Sequence, residues 1–322
     1  MRASMATDRQ DGSASRLDDA ARAGWLYYVA GNTQDQIAAK LGLSRQSAQR
    51  LVSLAVSEGL VKVRIDHPIA SCLELARSLR QRYDLAFCEV VPSDPGSDST
   101  TLGVAQALAA ELERWLRREE PAIIAMGTGR TLKAGVEQLP PIDSPQHRVV
   151  SLTGNIAPDG SAAYYNVVFT MADTVKCRSF PMPLPVIASS PEERAMLRGQ
   201  SMVRQTLDLA TRADVTFVGI GDIGPRAPLF VDGFISAQDL EALQGAGAVG
   251  EIVGWAFDRN GALIEGITND RVASAGIPDR GSSLVIGAAM GPRKLPGIAA
   301  ALAGRLVNGL ITDETTAREL LK

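Results

Sequence analysis

The amino-acid sequence predicts an α/β protein in two parts: an N-terminal winged helix-turn-helix and a C-terminal open α/β domain with a mostly parallel sheet. Two patterns carry this prediction. Helix-capping residues and turn glycines recur at short intervals between Thr33 and Gly59, as expected for a small helical module. From Leu85 onward, short runs rich in Val, Ile and Leu alternate with helical stretches, which is typical of strands buried on both faces of a parallel sheet.

The composition is that of a globular protein. The chain has 322 residues, of which 45% are hydrophobic and 21% charged, which excludes wholesale disorder and fibrous folds. Lys and Arg number 33 against 36 Asp and Glu, a net charge of -3, so nucleic-acid binding requires a local basic patch. The cysteines Cys72, Cys88 and Cys177 are too widely spaced for a zinc site and odd in number, which favours a reducing compartment. We find no signal segment or span of ~20 apolar residues, and we expect a cytoplasmic protein.

The first part is predicted to begin with a disordered tail over residues 1–16, followed by a helix over 17–29. Thr33 then caps a second helix, with Gln36 as its capping-box partner, and this helix ends at Gly42. Ser44 caps a third helix that ends near Gly59. A short alternating strand over 60–65 completes this part as a wing, and the predicted helix-turn-helix domain covers 17–66.

A helix-turn-helix needs a small residue where its helices cross and a glycine in its turn, which Ala38 and Gly42 supply. The outer face of the third helix then carries Arg, Gln and Ser, which can hydrogen-bond to base edges, and the wing places cations on backbone phosphates. Residues 1–66 hold nine Lys or Arg and seven Asp or Glu, so we expect two or four copies to act on a repeated site in double-stranded DNA. The predicted DNA contacts are Thr33, Gln34, Ser44, Arg45, Gln46, Ser47, Gln49, Arg50, Lys62 and Arg64. The alternative is a helical element that packs on the larger domain and exposes a solvated basic face.

The second part, predicted over 67–322, begins with a connecting helix over 69–83 and continues with alternating elements. Strands are predicted over 86–91, 122–126, 149–152, 215–220, 252–257 and 284–287. Helices are predicted over 102–117, 131–139, 192–212, 237–243 and 295–306. Pro140, Pro141 and the series Pro181, Pro183 and Pro185 are interpreted as loops within the domain.

Three glycine-containing turns follow candidate strands, over 126–131, 152–155 and 219–222. Glycines at a strand-to-helix turn let backbone N–H groups approach an anion at the helix N-terminus. Such turns lie at the carboxyl ends of parallel strands, where open sheets bind ligands. A fourth turn puts Lys294 at a helix start, against the helix dipole, which favours a ligand-binding role over a structural one.

These motifs together resemble a known family. The helix-turn-helix, the GTGRT turn over 127–131, the VGIG segment over 218–221, the GAVGEIVGWAFD stretch over 247–258 and LITDE over 310–314 are similar to the SorC family of sugar-binding transcriptional regulators, along nearly the whole chain. The resemblance implies a C-terminal domain related in fold to sugar-phosphate isomerases and glucosamine-phosphate deaminases, and a dimer or tetramer. It also implies operator DNA as partner, with a sugar, polyol or sugar-phosphate effector that controls operator affinity for a carbohydrate catabolic operon. By position, it implies effector contacts at Gly127, Thr128, Gly129, Arg130, Thr131, Asn155, Asp222, Asp232, Glu251, Arg271 and Lys294.

Two differences from the family pattern concern the effector. Met290-Gly291 and Gly154-Asn155 each stand where many relatives have Gly-Gly. A methionine narrows the space for a phosphate against the backbone, and an asparagine amide suits hydroxyl groups. Both differences favour a neutral sugar or polyol, with a phosphorylated effector as the alternative.

The alternative function is a sugar-phosphate isomerase- or deaminase-like enzyme with an accessory helical domain. Glu251 or Asp258 would then serve as general base, and Lys294 would stabilise an enediolate or form a Schiff base. The two histidines, His67 and His147, lie outside the strand-end turns, which argues against a His-based triad. No Cys, His and Asp cluster has metal-ligand spacing, so we predict no metal, no cofactor and no catalytic residue.

Overall fold

The structure is a computed structural model that describes residues 7–61, 69–94, 99–157, 159–162 and 165–322. The chain divides into two compact units, Met1–His67 and Pro68–Lys322. No helix among the described residues combines the length and apolar character that crossing a membrane requires.

The N-terminal unit contains three helices: α1 (Thr7–Tyr28), α2 (Gln34–Leu41) and α3 (Arg45–Ser57). Its core is built from small and branched side chains, with Ala23, Ile37, Ala38, Ala48 and Val52 buried together. The prediction of a disordered tail over 1–16 differs from the structure, in which α1 begins at Thr7. Once packing has nucleated a helix, adding a further residue to its end changes the free energy little, so α1 can extend beyond the apolar pattern. The predicted strand over 60–65 falls mostly on residues outside the described part.

The C-terminal unit has ten helices: α4 (Ala70–Tyr83), α5 (Ser99–Leu116), α6 (Arg130–Glu137), α7 (Val167–Thr174), α8 (Pro191–Arg198), α9 (Ser201–Ala210), α10 (Pro228–Val231), α11 (Ala237–Gly245), α12 (Leu295–Ala303) and α13 (Glu314–Leu320), counted over its described residues. Its strands there are β1 (Phe87–Val91), β2 (Ile123–Met126), β3 (Arg148–Ile156), β4 (Arg178–Pro185), β5 (Val215–Gly219), β6 (Gly221–Asp222), β7 (Ala248–Ile252), β8 (Trp255–Asp258), β9 (Leu284–Ala288) and β10 (Gly309–Asp313). A 3-10 turn covers Asn269–Arg271.

Seven strands form one parallel sheet in the order β1-β10-β9-β5-β2-β3-β4. Successive residues of a strand face opposite sides of the sheet, and the core divides accordingly. Ala125 and Val150 belong to one buried cluster, whereas their neighbours Ile124 and Val149 belong to another. Strands β6, β7 and β8 form a separate antiparallel sheet. The predicted mostly parallel α/β domain is therefore confirmed.

Three predictions about elements are wrong. The proline series over 181–185 is not a loop but part of β4, an edge strand whose one partner among the described strands is β3. Proline lacks an N–H donor and is accepted in a sheet only at such an edge. The single strand predicted over 252–257 is a hairpin of β7 and β8, because the chain reverses at Val253 and Gly254, both with positive φ. The helix predicted over 192–212 is interrupted at Gly199.

The patterns also missed several elements: β4, β10, α7 and α13. The short strand β10 lies between β1 and β9 and is fully buried. Its sequence, GLITD, is too short to give a periodic signal on its own.

Candidate functional site

Two N-terminal caps fix where α2 and α3 begin in the N-terminal unit. Thr33 accepts a hydrogen bond from the Gln36 backbone N–H, and Gln36 Oε1 accepts one from the Thr33 N–H at 2.8 Å, so the predicted capping box is present. Gly42 ends α2 in the left-handed region at φ 67°, and Ser44 Oγ accepts from the Ser47 N–H to cap α3. These caps confirm the predicted helix boundaries and fix the turn between α2 and α3.

The start of α3 exposes the side chains predicted to contact DNA. Arg45, Gln46, Gln49 and Arg50 are exposed, while the opposite face is buried through Ala48 and Val52. Thr33 and Ser44 are also exposed, and Gln34 and Ser47 are half-buried. Lys62 and Arg64 lie outside the described residues.

Arg45 makes an exposed ion pair with Asp35 at 3.5 Å. Both side chains are more than two-thirds exposed, and such pairs contribute little to stability. Arg45 could therefore leave Asp35 and pair with a DNA phosphate with little loss of stability.

In the C-terminal unit, a cavity of about 290 Å³ lies at the carboxyl ends of β2, β3, β5 and β9. From β2 the next strands, β3 and β4, are added toward one edge of the sheet, whereas from β5 the next strands, β9 and β10, are added toward the other. Ligands of open α/β sheets bind at such a switch point. Of the predicted effector contacts, the cavity is lined by Thr128, Gly129, Arg130, Thr131, Asp232, Glu251 and Lys294.

The turn after β2 brings a helix N-terminus to this cavity. Gly129 has φ 123° and precedes α6 without a side-chain cap, so the first N–H groups of α6 have no capping side chain. Thr128 Oγ1 donates to the Tyr165 carbonyl at 2.5 Å, which fixes the turn against the chain that precedes α7. This geometry leaves a positive helix end beside Arg130 and Thr131, both of which line the cavity.

Glu251 reaches the cavity from β7. It lies opposite Gly221 on β6, and a Cβ at position 221 would lie 2.1 Å from Glu251 Oε1, so any larger residue there would displace the carboxyl group from this position. Glu251 Oε2 accepts from the Gly254 N–H at 2.8 Å. Burial raises the pKa of Glu251, a shift that this hydrogen bond and Lys294 oppose. The carboxyl group thus binds a proton more readily than in water.

Lys294 stands at the N-terminus of α12 and faces the same cavity. Burial lowers the pKa of Lys294, and the nearby Arg130 and Arg293 lower it further, whereas Glu251 and Asp222 raise it. Its ammonium makes no ion pair within 4.0 Å among the described residues. A desolvated cation without a close partner favours an anion placed beside it.

Asp232 follows the short helix α10 and also lines the cavity. Burial raises the pKa of Asp232, opposed by the charge of Arg130. Its Oδ2 is buried and has no hydrogen-bond partner among the described residues. Both carboxyl groups of the cavity are therefore suited to accept hydrogen bonds from hydroxyl groups.

The predicted contacts Gly127 and Asn155 line a smaller space of about 10 Å³ that shares Thr128, Thr153 and Tyr165 with the main cavity. Asp222 is half-buried on β6 and acts on Glu251 and Lys294 through its charge, but it does not line the cavity.

Two residues considered for the site lie outside the cavity lining, and their side chains have partners elsewhere. Arg271 pairs with Asp239 on α11 at 2.6 Å and does not line the cavity. Asp258, the alternative general base, accepts from the N–H groups of Asn260 and Ala262 at 2.8 and 2.9 Å. These bonds lower the pKa of Asp258, so it is a turn residue.

Sequence reasoning also missed cavity residues. Thr101, Thr153, Tyr165, Phe234 and Arg293 line the cavity, and of these only Arg293 and Thr153 stood within turns that the sequence marked. Within the described part of the chain, no group of three or more His, Cys, Asp or Glu could hold a metal ion.

Known proteins with similar sequences or structures match this chain along most of its length. Residues 67–322 match the family described as "Putative sugar-binding domain". The erythritol catabolism regulatory protein EryD of Brucella abortus is 34% identical over 302 residues, covering 94% of this chain and 96% of that protein. The transcriptional regulator LsrR of Klebsiella pneumoniae is 33% identical over 309 residues, covering 94% and 92%. The full-length sorbitol operon regulator SorC of Klebsiella pneumoniae matches with a TM-score of 0.73 and 27% identity, covering 94% of this chain and 98% of that one.

Proposed function

Since this chain belongs to the SorC family of sugar-binding transcriptional regulators, we propose that it binds operator DNA through the start of α3 and that an anionic polyhydroxy effector in the strand-end cavity changes its operator affinity. The observation that carries the proposal is the convergence of cationic, carboxyl and hydroxyl side chains in one cavity at the switch point of the sheet.

The DNA-binding half of the proposal is supported by the exposed face of α3. Arg45, Gln46, Gln49 and Arg50 stand on a helix whose opposite face is buried, so they can enter a major groove without disturbing the core. Because one unit of this size offers few cations, two copies on neighbouring half-sites would supply specific affinity. We therefore propose a dimer or tetramer that acts on DNA in the cytoplasm.

The charges in the cavity support the effector class. Arg130, Arg293 and Lys294 outnumber the carboxyl groups Asp232 and Glu251, and α6 adds its uncapped N-terminus. The two sequence differences favour a neutral effector, whereas this balance favours one that carries a phosphate or carboxylate. The carboxyl groups then accept hydrogen bonds from the hydroxyls of a sugar or polyol.

An enzymatic function is the second candidate, and it rests on Glu251 and Lys294. One has a raised and the other a lowered pKa, and groups with opposed shifts in one cavity can exchange protons with a substrate. We propose that they bind the effector without turnover, in keeping with relatives named as regulators. Incubating the protein with a bound sugar phosphate and finding a new product by NMR would overturn this.

A two-part experiment tests the proposal. A gel shift with DNA from upstream of the protein's own gene, at low salt, should show retardation, and Arg50→Ala should weaken it. A thermal-shift screen of four- to six-carbon polyols and their monophosphates should find a ligand that raises the melting temperature and changes the gel shift. Erythritol and its phosphate belong in the screen, because one relative is named for erythritol catabolism. No retardation, or a stabilising ligand without effect on DNA binding, would contradict the proposal.

A further inference from the structure

Beside the main cavity lies a recess of about 10 Å³, lined by Ser151, Thr153, Gly154 and Asn155 of β3 and by Thr128 and Tyr165. A space of this size holds a single water-sized group. The recess continues from the main cavity, because Thr128, Thr153 and Tyr165 line both. A group that enters it from the cavity is therefore one oxygen atom of a larger ligand, or one water.

Two polar atoms of the recess have no hydrogen-bond partner among the described residues. Thr153 is only 2% exposed, and its Oγ1 makes no hydrogen bond within the described part of the chain; the same is true of the buried Asn155 Oδ1. The neighbouring hydroxyls are already engaged, since Ser151 Oγ donates to the Thr153 carbonyl at 2.8 Å and Thr128 Oγ1 donates to the Tyr165 carbonyl. Buried polar groups are nearly always satisfied, so this pair points to a missing partner.

The backbone is shaped to place Asn155 there. The pairing of β3 with β4 shifts register on both sides of Gly154, and such bulges re-aim the side chains next to them. A Cβ at Gly154 would lie 2.3 Å from the Leu184 carbonyl oxygen, so only glycine permits this approach. Thr153 and Asn155 are two residues apart on β3 and so share one face of the strand, and both line the recess beside this irregular pairing.

The chemistry of the pair selects the occupant. An amide oxygen accepts only, whereas a threonine hydroxyl donates and accepts. A hydroxyl group can donate to Asn155 Oδ1 and accept from Thr153 Oγ1 at once, which neither a carbonyl nor a phosphate oxygen can do. We propose that Thr153 and Asn155 form a hydroxyl-recognition subsite that receives one hydroxyl of the effector and makes this position of the ligand obligatory. This inference rests on the proposed function.

The test measures which hydroxyl the protein requires. The probes are the terminal monophosphates of erythritol, ribitol and sorbitol, and the monodeoxy analogues of whichever binds most tightly, with dissociation constants from calorimetry. In the wild type, loss of one particular hydroxyl should weaken binding by roughly 3- to 30-fold. The readout is the ratio of the dissociation constant of the deoxy analogue to that of the parent ligand. In Thr153→Val, which keeps the shape of the side chain, this ratio should fall to near one, and Asn155→Leu should have the same effect.

Thr312→Val is the matched control. Thr312 is equally buried and its Oγ1 also lacks a partner among the described residues, but it lies on β10 and does not line either space. This variant should keep the wild-type ratio. If a polyol phosphate binds and Thr153→Val leaves the ratio unchanged, the recess holds only water and the subsite is overturned, while the proposed function stands. If none of the polyol phosphates binds the wild type, the subsite and the proposed effector class both fall.

Discussion

Replacing Gly154 by alanine should separate β4 from β3. The added Cβ would lie 2.3 Å from the Leu184 carbonyl oxygen and 2.5 Å from the Pro185 carbonyl carbon, whereas ordinary contact begins at 3.4 Å. Both obstacles are backbone atoms, which cannot rotate aside as a flexible side chain can. Strand β4 must therefore move by about an ångström, against a core in which Met182 and Leu184 are fully buried.

We expect Gly154→Ala to lower the free energy of unfolding by about 3–5 kcal/mol, at the upper end of single substitutions. For a domain of this size the melting temperature should fall by roughly 6–20 °C. Thermal and urea denaturation followed by circular dichroism measure the change.

Gly245→Ala is the control for this prediction. Gly245 ends α11, and a Cβ there would meet nothing within 4 Å, so alanine should be neutral or stabilising by up to about 1 kcal/mol. A melting temperature of Gly154→Ala within about 2 °C of the wild type would refute the steric reasoning.

Three further predictions concern the cavity and the DNA-binding unit. Lys294→Met should weaken the response to an anionic effector in a thermal-shift assay. Because burial lowers the pKa of Lys294, the unfolded chain binds the lysine proton more tightly than the folded chain. The contribution of Lys294 to the free energy of unfolding therefore rises with pH up to the ordinary pKa of 10.5. The variant should lack that rise, and an unchanged pH profile would contradict the assignment. Ser44→Ala should lower the stability of the N-terminal unit by about 1 kcal/mol through loss of the α3 cap, measurable on residues 1–67 if that unit folds alone and otherwise by hydrogen exchange in the full chain. Arg50→Ala should leave melting unchanged and weaken operator binding about tenfold with a shallower salt dependence; a gel-shift series in salt that matches the wild type would exclude a role for Arg50.

The sequence predicts best the features that neighbouring residues determine. The capping box of Thr33 and Gln36 and the cap at Ser44 need only residues three positions apart, so the pattern located both. The glycine turns after β2 and β5 were likewise predicted from their own sequence, and the parallel sheet brings them to one cavity.

Features set by distant partners were not predictable in this way. Arg271 carries the charge expected of a ligand contact, but Asp239, far away in the sequence, engages it. That the hydroxyl of Thr153 has no hydrogen-bond partner among the described residues is evident only from the folded structure. The carboxyl group of Glu251 depends equally on a glycine across the small sheet, at position 221.

The prolines of β4 also bear on how copies of this protein can meet. An edge strand normally offers N–H donors with which a strand of another chain can pair. Pro181, Pro183 and Pro185, at alternate positions of β4, have no N–H to donate. Continuous ladder formation beyond β4 is thereby disfavoured. Under the proposed function, in which several copies bind one stretch of DNA, neighbouring copies can then lie close together without pairing of their sheets along β4.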